Sequence, residues 1–365
     1  MDRDSQARAA ALLHRASHAP GEAMAPPIIS SATYFTPDVE GLSHVYGRSG
    51  MPTWEVLEDR LGFLEGGIAV AYPSGMAAIS AALFACLGAG KRLILPSDGY
   101  YVSRLFAAGI LARYGVEVIS VPTLGMEAAD FTGAAAVLVE TPSNPGLEVC
   151  DIAAIAEKAH AAGARVIVDN TTMTPLLQRP LDLGADIVVA ADTKAPGGHA
   201  DVLFGHAAAR DAGLAAQLKE ERRLSGAVPG AFEAWLVLRG LETLEVRLSR
   251  MCASAQVIAE RLAGHRSVKN TRYPGLAGDP SHALARRQMG GFGFLIGFEL
   301  AGAARAEKFL SDCTLIAQTT SFGGTHSSGE RRIRWGDAVA PGFVRLSVGC
   351  EPVEILWAAM AAALD

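Results

Sequence analysis

The stretch from Ser74 to about Ala208 constrains the fold most, because short apolar runs alternate there with helix-like segments. Arg92-Leu93-Ile94-Leu95, Val116-Glu117-Val118-Ile119-Ser120-Val121, Ala134 to Glu140, Val166-Ile167-Val168-Asp169 and Asp186 to Ala190 each read as a strand. Most of them are apolar throughout, which means burial on both faces. Ser74-Gly75-Met76 opens an Ala-rich helix, with Ser74 as its cap and Gly88-Ala89-Gly90 as its end. Phe106 to Tyr114 reads as a second helix. Asp151 caps a third, whose Ile152, Ile155, Ala156 and Ala159 share one face and which Gly163 closes. Buried strands alternating with helices predict an α/β fold, with a mostly parallel sheet covered on both sides.

The texture changes after about Ala231. Leu238 to Leu262 has helical spacing and predicts one long connecting helix. Gly291 to Leu300 and Gly342 to Val348 read as strands, and Arg305–Ser311 and Val353–Leu364 as helices. This is the pattern of a smaller α+β domain. The first 45 residues, with Pro26-Pro27 and Pro37, predict an extended arm. The expected division is an arm over 1–45, a large domain over 46–235 and a small domain over 236–365. A chain of 365 residues suits about two domains.

Composition excludes several classes of function. The formal net charge is −6 and no basic stripe stands out, which argues against nucleic acid as a partner. Two arginine clusters, Glu221-Arg222-Arg223 and Glu330-Arg331-Arg332, are mixed with acids and read as solvated or subunit-facing surface. The five cysteines have no metal-ligand spacing and their number is odd, as expected of free thiols in a reducing cytoplasm. Met1 to Arg15 lacks the apolar core of a signal peptide, and no run approaches the roughly 20 apolar residues of a membrane span.

Open α/β sheets bind ligands beyond the carboxyl ends of their strands. The polar residues at those positions are Asp98, Tyr100, Glu140, Asn144, Asp169, Asn170, Asp192, Thr193 and Lys194. Lys194 is one of only six lysines and lies between an apolar strand and Gly197-Gly198. A lysine held partly out of water keeps its amine neutral, which suits Schiff-base chemistry; on spacing alone it reads equally as a surface lysine in a turn. Asp169 ends a strand, where a carboxylate can pair with a buried cation or simply cap the next loop. The amides of Gly75 and Met76, at a helix start, suit a phosphate. A Walker A loop and a dinucleotide-binding G-x-G-x-x-G are both missing, and His199 and Asp201 lack a third metal ligand nearby.

Six motifs occur in order: Tyr46-Gly47-Arg48 to Pro52-Thr53, Ser74-Gly75-Met76, Glu140-Thr141-Pro142-Ser143-Asn144-Pro145, Val168-Asp169-Asn170-Thr171, Thr193-Lys194 with Gly198-His199-Ala200-Asp201, and Val344-Arg345-Leu346-Ser347-Val348-Gly349. Together they resemble the Cys/Met-metabolism family of fold-type-I pyridoxal 5′-phosphate (PLP) enzymes, over nearly the whole chain from about Pro26. That family includes cystathionine γ-lyase, β-lyase and γ-synthase and methionine γ-lyase. The resemblance implies that Lys194 carries the cofactor as a Schiff base and moves protons. It implies that Asp169 pairs with the pyridine nitrogen, that Asn144 lies beside the ring hydroxyl and that Tyr100 stacks on the ring. Gly75, Met76 and Thr193 would hold the phosphate, helped by Tyr46 and Arg48 of a neighbouring subunit, which predicts a homodimer core paired into a tetramer. Arg345 would clamp the substrate α-carboxylate, with Ser321, Thr320 and Asn144 around the substrate.

The departures from the family pattern matter. Its phosphate-binding Ser is Ala191 here, and Asp192 beside it would repel phosphate if it pointed inward. The tyrosine loop Tyr100-Tyr101-Val102-Ser103 is one residue short, which leaves Tyr100 and Tyr101 both open as the stacking ring. Thr320 stands where Glu, Tyr or Val distinguishes the subtypes, and matches none. The resemblance thus implies a carbon–sulfur lyase of sulfur amino-acid metabolism, with γ-elimination of L-cystathionine first and β-lyase or γ-synthase activity as alternatives. A catalytically weak PLP-binding assembly protein is the remaining reading, and Lys194, Asp169 and Arg345 together oppose it.

Overall fold

The apolar runs pair as expected in the computed structural model, which describes residues 1–365 except Ser17 and Val39. Seven strands form the large sheet: β1 (Ile68–Tyr72), β2 (Arg92–Pro96), β3 (Glu117–Val121), β4 (Ala134–Glu140), β5 (Arg165–Asp169), β6 (Ile187–Ala190) and β7 (Gly205–Ala209). Their spatial order is β1-β7-β6-β5-β4-β2-β3. The β3, β2, β4, β5 and β6 neighbours all run parallel, and β7 runs antiparallel to both β6 and β1. Helices cover both faces. Val70, Tyr72, Leu93, Leu138, Ile167 and Val189 point to one core layer, and Ala71, Ile94, Val137, Val139, Val168 and Val188 to the other. Alternate residues of one strand fill opposite layers, which is why these strands carry no polar face.

A second sheet of four antiparallel strands, β8 (Asn270–Arg272), β9 (Leu295–Glu299), β10 (Ser328–Arg331) and β11 (Phe343–Ser347), has the order β10-β11-β9-β8. It carries the expected helices over Ala303–Asp312 and Val353–Leu364. No helix among the described residues is long and apolar enough to cross a membrane.

Three expectations are corrected. The N-terminal arm does not begin extended: Asp2 caps a helix over Arg3–Leu13 that buries Ser5, Ala9 and Leu12. The expected helix over Phe106–Tyr114 starts earlier, at Tyr101, widens into a π turn at Ala107–Leu111 and tightens at Ala112–Tyr114. The long helix over 238–262 is two helices, Ala231–Leu241 and Leu244–Ala263. The break has a local cause. Arg247 donates to the Gly240 carbonyl at 2.7 Å, taking an acceptor from the helix ladder, and also to Ala195 O at 2.6 Å. Gly240 has no side chain because a Cβ there would lie 2.4 Å from Pro196 O. The helix break is therefore pressed against the loop that follows Lys194.

Candidate active site

A cavity of about 510 Å3 opens beyond the carboxyl ends of β4, β5 and β6. Lys194, Asp169, Gly75, Met76, Tyr100, Thr193, Asn144, Arg345, Ser321 and Thr320 all line it. Residues more than two hundred positions apart in sequence thus meet at one end of the sheet.

At one end of the cavity, Ser74 accepts from Ala77 N at 3.1 Å and caps the helix Gly75–Cys86. The unpaired N–H groups of that first turn attract an anion. The close packing behind them requires glycine. A Cβ on Gly75 would lie 2.5 Å from the Ala191 Cβ, and one on Gly205 would lie 2.6 Å from Gly75 N. Thr193 lines this end, but its hydroxyl is engaged with the Phe204 backbone, accepting from N at 2.9 Å and donating to O at 3.2 Å. Asp192 does not point into the cup, so the repulsion expected of it does not arise. Its carboxylate faces away, fully buried, and binds His206 Nδ1 at 2.9 Å. On its other side the same imidazole meets Glu65 Oε1 at 3.1 Å.

Asp169 ends β5 opposite Glu140 of β4. Both of its internal hydrogen bonds go to Oδ1, from Thr171 N at 3.0 Å and Thr171 Oγ1 at 2.5 Å. Burial pushes the Asp169 carboxyl up, against the lowering effect of Thr171 and Lys194. A protonated pyridine nitrogen beside this carboxylate would offset that burial. Glu140 accepts from Tyr100 N at 2.5 Å and Asn144 N at 2.8 Å, so one buried carboxyl joins the two loops that carry those residues. Burial and the neighbouring Asp169 push it well above the usual carboxylate range.

Tyr100 and Tyr101 both line the cavity, with ring centroids 5.4 Å apart. Burial, then the charges of Tyr101 and Asp169, push the Tyr100 phenol up. Both rings face the same cavity.

Lys194 follows β6. Its Nζ donates to Ser321 Oγ at 2.7 Å and lies 5.0 Å from the centroid of the Phe322 ring. Burial, then the nearby Arg345, lowers its pKa to about 8, so about a tenth is free amine at pH 7. Ser321 has a φ of 75°, a left-handed conformation costly for a residue with a side chain. That turn lets its hydroxyl face Lys194 while its carbonyl accepts from Arg345 at 2.9 Å. Arg345, on β11, also donates to Asn144 Oδ1 at 2.6 Å. With its Nη2 also paired to Glu330, the guanidinium is held in one orientation at the cavity, as a cation for a carboxylate.

Tyr46 and Arg48 lie outside this cavity lining. Tyr46 is 45% exposed, with the Arg48 guanidinium 5.3 Å from its ring centroid. Arg332 and Trp335 do line the cavity, although nothing in the sequence marked them as site residues. Both arginine clusters are also corrected. Arg222 is buried against Glu58 at 2.5 Å, and Glu330 and Arg332 are buried, whereas Arg223 stays at the surface. Arginine in a mixed-charge run goes inside when carboxylates from elsewhere meet it, and local pattern does not report those partners.

The residues fit PLP: a helix start for phosphate, a buried carboxylate whose two hydrogen bonds are both on Oδ1, and a buried lysine of lowered pKa near a buried arginine. The sequence pattern of the Cys/Met metabolism PLP-dependent enzymes matches residues 9–365. The chain belongs to this family. Relatives of the PLP-dependent family carry several names. A Streptomyces coelicolor protein named "Putative cystathionine gamma-lyase" is 46% identical over 346 residues, covering 93% of this chain and 88% of that protein. L-methionine gamma-lyase of Pseudomonas putida is 38% identical, covering 94% and 93%. The structure of cystathionine gamma synthase from Xanthomonas oryzae pv. oryzae in complex with cystathionine superposes with a TM-score of 0.92 at 35% identity, covering 100% of this chain and 98% of that one. The family uses PLP and acts in sulfur amino-acid metabolism.

Proposed function

We propose that this chain is a carbon–sulfur lyase that cleaves L-cystathionine by γ-elimination, consuming water and giving cysteine, 2-oxobutyrate and ammonia. The observation that carries the reading is the arrangement of Lys194 Nζ on Ser321 Oγ at 2.7 Å, with the Ser321 carbonyl on Arg345. It sets a proton-carrying amine beside a carboxylate anchor in one cavity. The name of the Streptomyces coelicolor relative supports the choice of γ-elimination.

PLP supplies the electron-accepting ring when bound. Asp169 would hold the ring nitrogen in its protonated form, and Tyr100 would hold the ring. Gly75 and Met76 offer backbone N–H groups to the phosphate. Arg345 holds the substrate α-carboxylate, steadied by Asn144 and Ser321. Lys194, as free amine, takes the proton from the substrate Cα and then works at Cβ, close enough for one group to serve both. Thr320, at the cavity rim, faces the substrate side chain.

Product analysis with L-cystathionine separates the activities: 2-oxobutyrate is the expected oxoacid. Pyruvate instead would establish β-elimination. Activity only with an O-acylhomoserine and cysteine would establish the γ-synthase reaction, which the named Xanthomonas oryzae neighbour keeps as the second reading.

We also infer that Tyr46 and Arg48 complete the phosphate site of a neighbouring copy in a homodimer core that pairs into a tetramer. In support, Tyr46 and Arg48 lie outside the lining of their own chain's cavity, and Tyr46 is 45% exposed. Arg48→Ala is expected to raise the PLP dissociation constant about tenfold, one charge-assisted hydrogen bond's worth, without changing the mass in solution. An unchanged constant would remove Arg48 from the site.

A further inference from the structure

The distal wall of the cavity comes from a segment with no task in the chemistry above. Arg332 and Trp335 line it, and both lie between β10 and β11. Glu330 and Arg332 are each only 5% exposed. Glu330 is shared in two directions. Its Oε1 accepts from Arg345 Nη2 and from Arg332 Nη1, the latter at 2.8 Å. Its Oε2 accepts from the Trp335 indole N–H at 2.8 Å. Arg332 in turn holds Asp337 through Nε at 2.8 Å, and Arg104 approaches Asp337 at 3.5 Å. Charges therefore alternate along Arg345, Glu330, Arg332, Asp337 and Arg104. Three cations and two anions leave one positive charge, the complement of one carboxylate.

We propose that Trp335 is a specificity-determining residue for the substrate side chain, and that Glu330 is the positioning residue that fixes it relative to Arg345. The inference rests on Arg345 being the α-carboxylate anchor. One carboxylate group spans the anchor and the indole, so the distance from the substrate carboxylate to the side-chain wall is set by a single rigid group. Trp335 is 42% exposed and pinned by its N–H, leaving its ring free to meet an unbranched aliphatic or thioether chain. Glu330 cannot be replaced by its amide without loss. A carboxylate accepts on both oxygens, whereas glutamine has one acceptor and one donor. Gln at this position keeps Arg345 or Trp335, not both.

The test uses PLP-loaded wild type, Trp335→Ala, Trp335→Phe and Glu330→Gln. Each is titrated with glycine and with L-norleucine, which carry the same carboxylate but no leaving group, and the cofactor absorbance gives both dissociation constants. Trp335→Ala is expected to weaken L-norleucine about tenfold while glycine stays within about twofold, with Trp335→Phe recovering most of the loss. Glu330→Gln is expected to move the glycine constant, the norleucine-to-glycine ratio, or both, by about fivefold or more. An unchanged ratio in Trp335→Ala, or equal weakening of both amino acids, overturns the specificity role. Wild-type values for both ligands in Glu330→Gln overturn the positioning role. The Trp335 variants alter a half-exposed ring and decide the matter even if Glu330→Gln does not fold. A wild type that binds PLP but gives no response to glycine sinks the anchor reading of Arg345, and a wild type that takes up no PLP sinks the cofactor reading; either takes this inference with it.

Discussion

Lys194→Ala is expected to leave the protein colourless after incubation with PLP and to lower 2-oxoacid release from L-cystathionine by about a thousandfold or more. The loss should not reflect unfolding. Burial lowers the lysine to about pH 8, so its charge is held at a cost in the folded chain. Its side chain makes one hydrogen bond, to Ser321. Removing it should leave the melting temperature of the cofactor-free protein unchanged or slightly higher. Thermal melting beside absorbance and oxoacid assay checks all three. A yellow, active Lys194→Ala protein would remove the lysine from the chemistry.

His206→Leu is expected to have the largest effect on stability. The imidazole lies between Asp192 and Glu65, and all three side chains have 0% exposure. Burial alone disfavours the imidazolium. The charge of Asp192, with the hydrogen bonds the imidazolium donates to Asp192 and Glu65, more than reverses this and raises the group to about 10. Leucine would leave two buried carboxylates without a cation, a loss of about 3–5 kcal/mol. For a chain of this size that is about 5 °C in melting temperature. The pH dependence has a definite sign. A group raised in the folded state from its ordinary 6.5 stabilises fully below that pH and loses the contribution as pH climbs through about 10. Wild type should therefore lose stability between pH 7 and 10 by an amount absent in His206→Leu. Adding Asp192→Asn to His206→Leu should recover part of the loss. A variant melting like wild type would show the triad to be energetically neutral. Asp192 is two residues from Lys194, so PLP affinity should weaken in the same variant.

The order of the functional residues was legible because each follows a strand or sits in a contiguous motif. Asp169 ends β5, and Asn144 and Lys194 each come four residues after β4 and β6, at the end of the sheet where a parallel sheet places its ligand. The helix start at Ser74 was legible from its cap. What stayed hidden depends on partners far away in sequence. Asp192 reads as an acid that could threaten the phosphate until His206, itself backed by Glu65, is seen to hold it away from the cup. Arg332 reads as surface until Glu330 and Asp337 close around it. The break near Gly240 is invisible to helical periodicity because it arises from Arg247 reaching back to a carbonyl. The first helix was missed because its buried face is made of Ser5, Ala9 and Leu12, too small and mixed to show as a stripe.

The packing behind the phosphate cup limits how this protein can vary. Gly75, Gly205 and Ala191 share one volume among a helix and two strands, and nothing smaller than glycine exists to make room for growth at another position. A lineage that remodels its hold on phosphate cannot do so through Gly75 or Gly205. On the loop side of the cup the same subunit is left with Ala191 and Thr193, the same few links of chain that carry the lysine. Any change made there in how firmly the cofactor is gripped also changes how the lysine is presented.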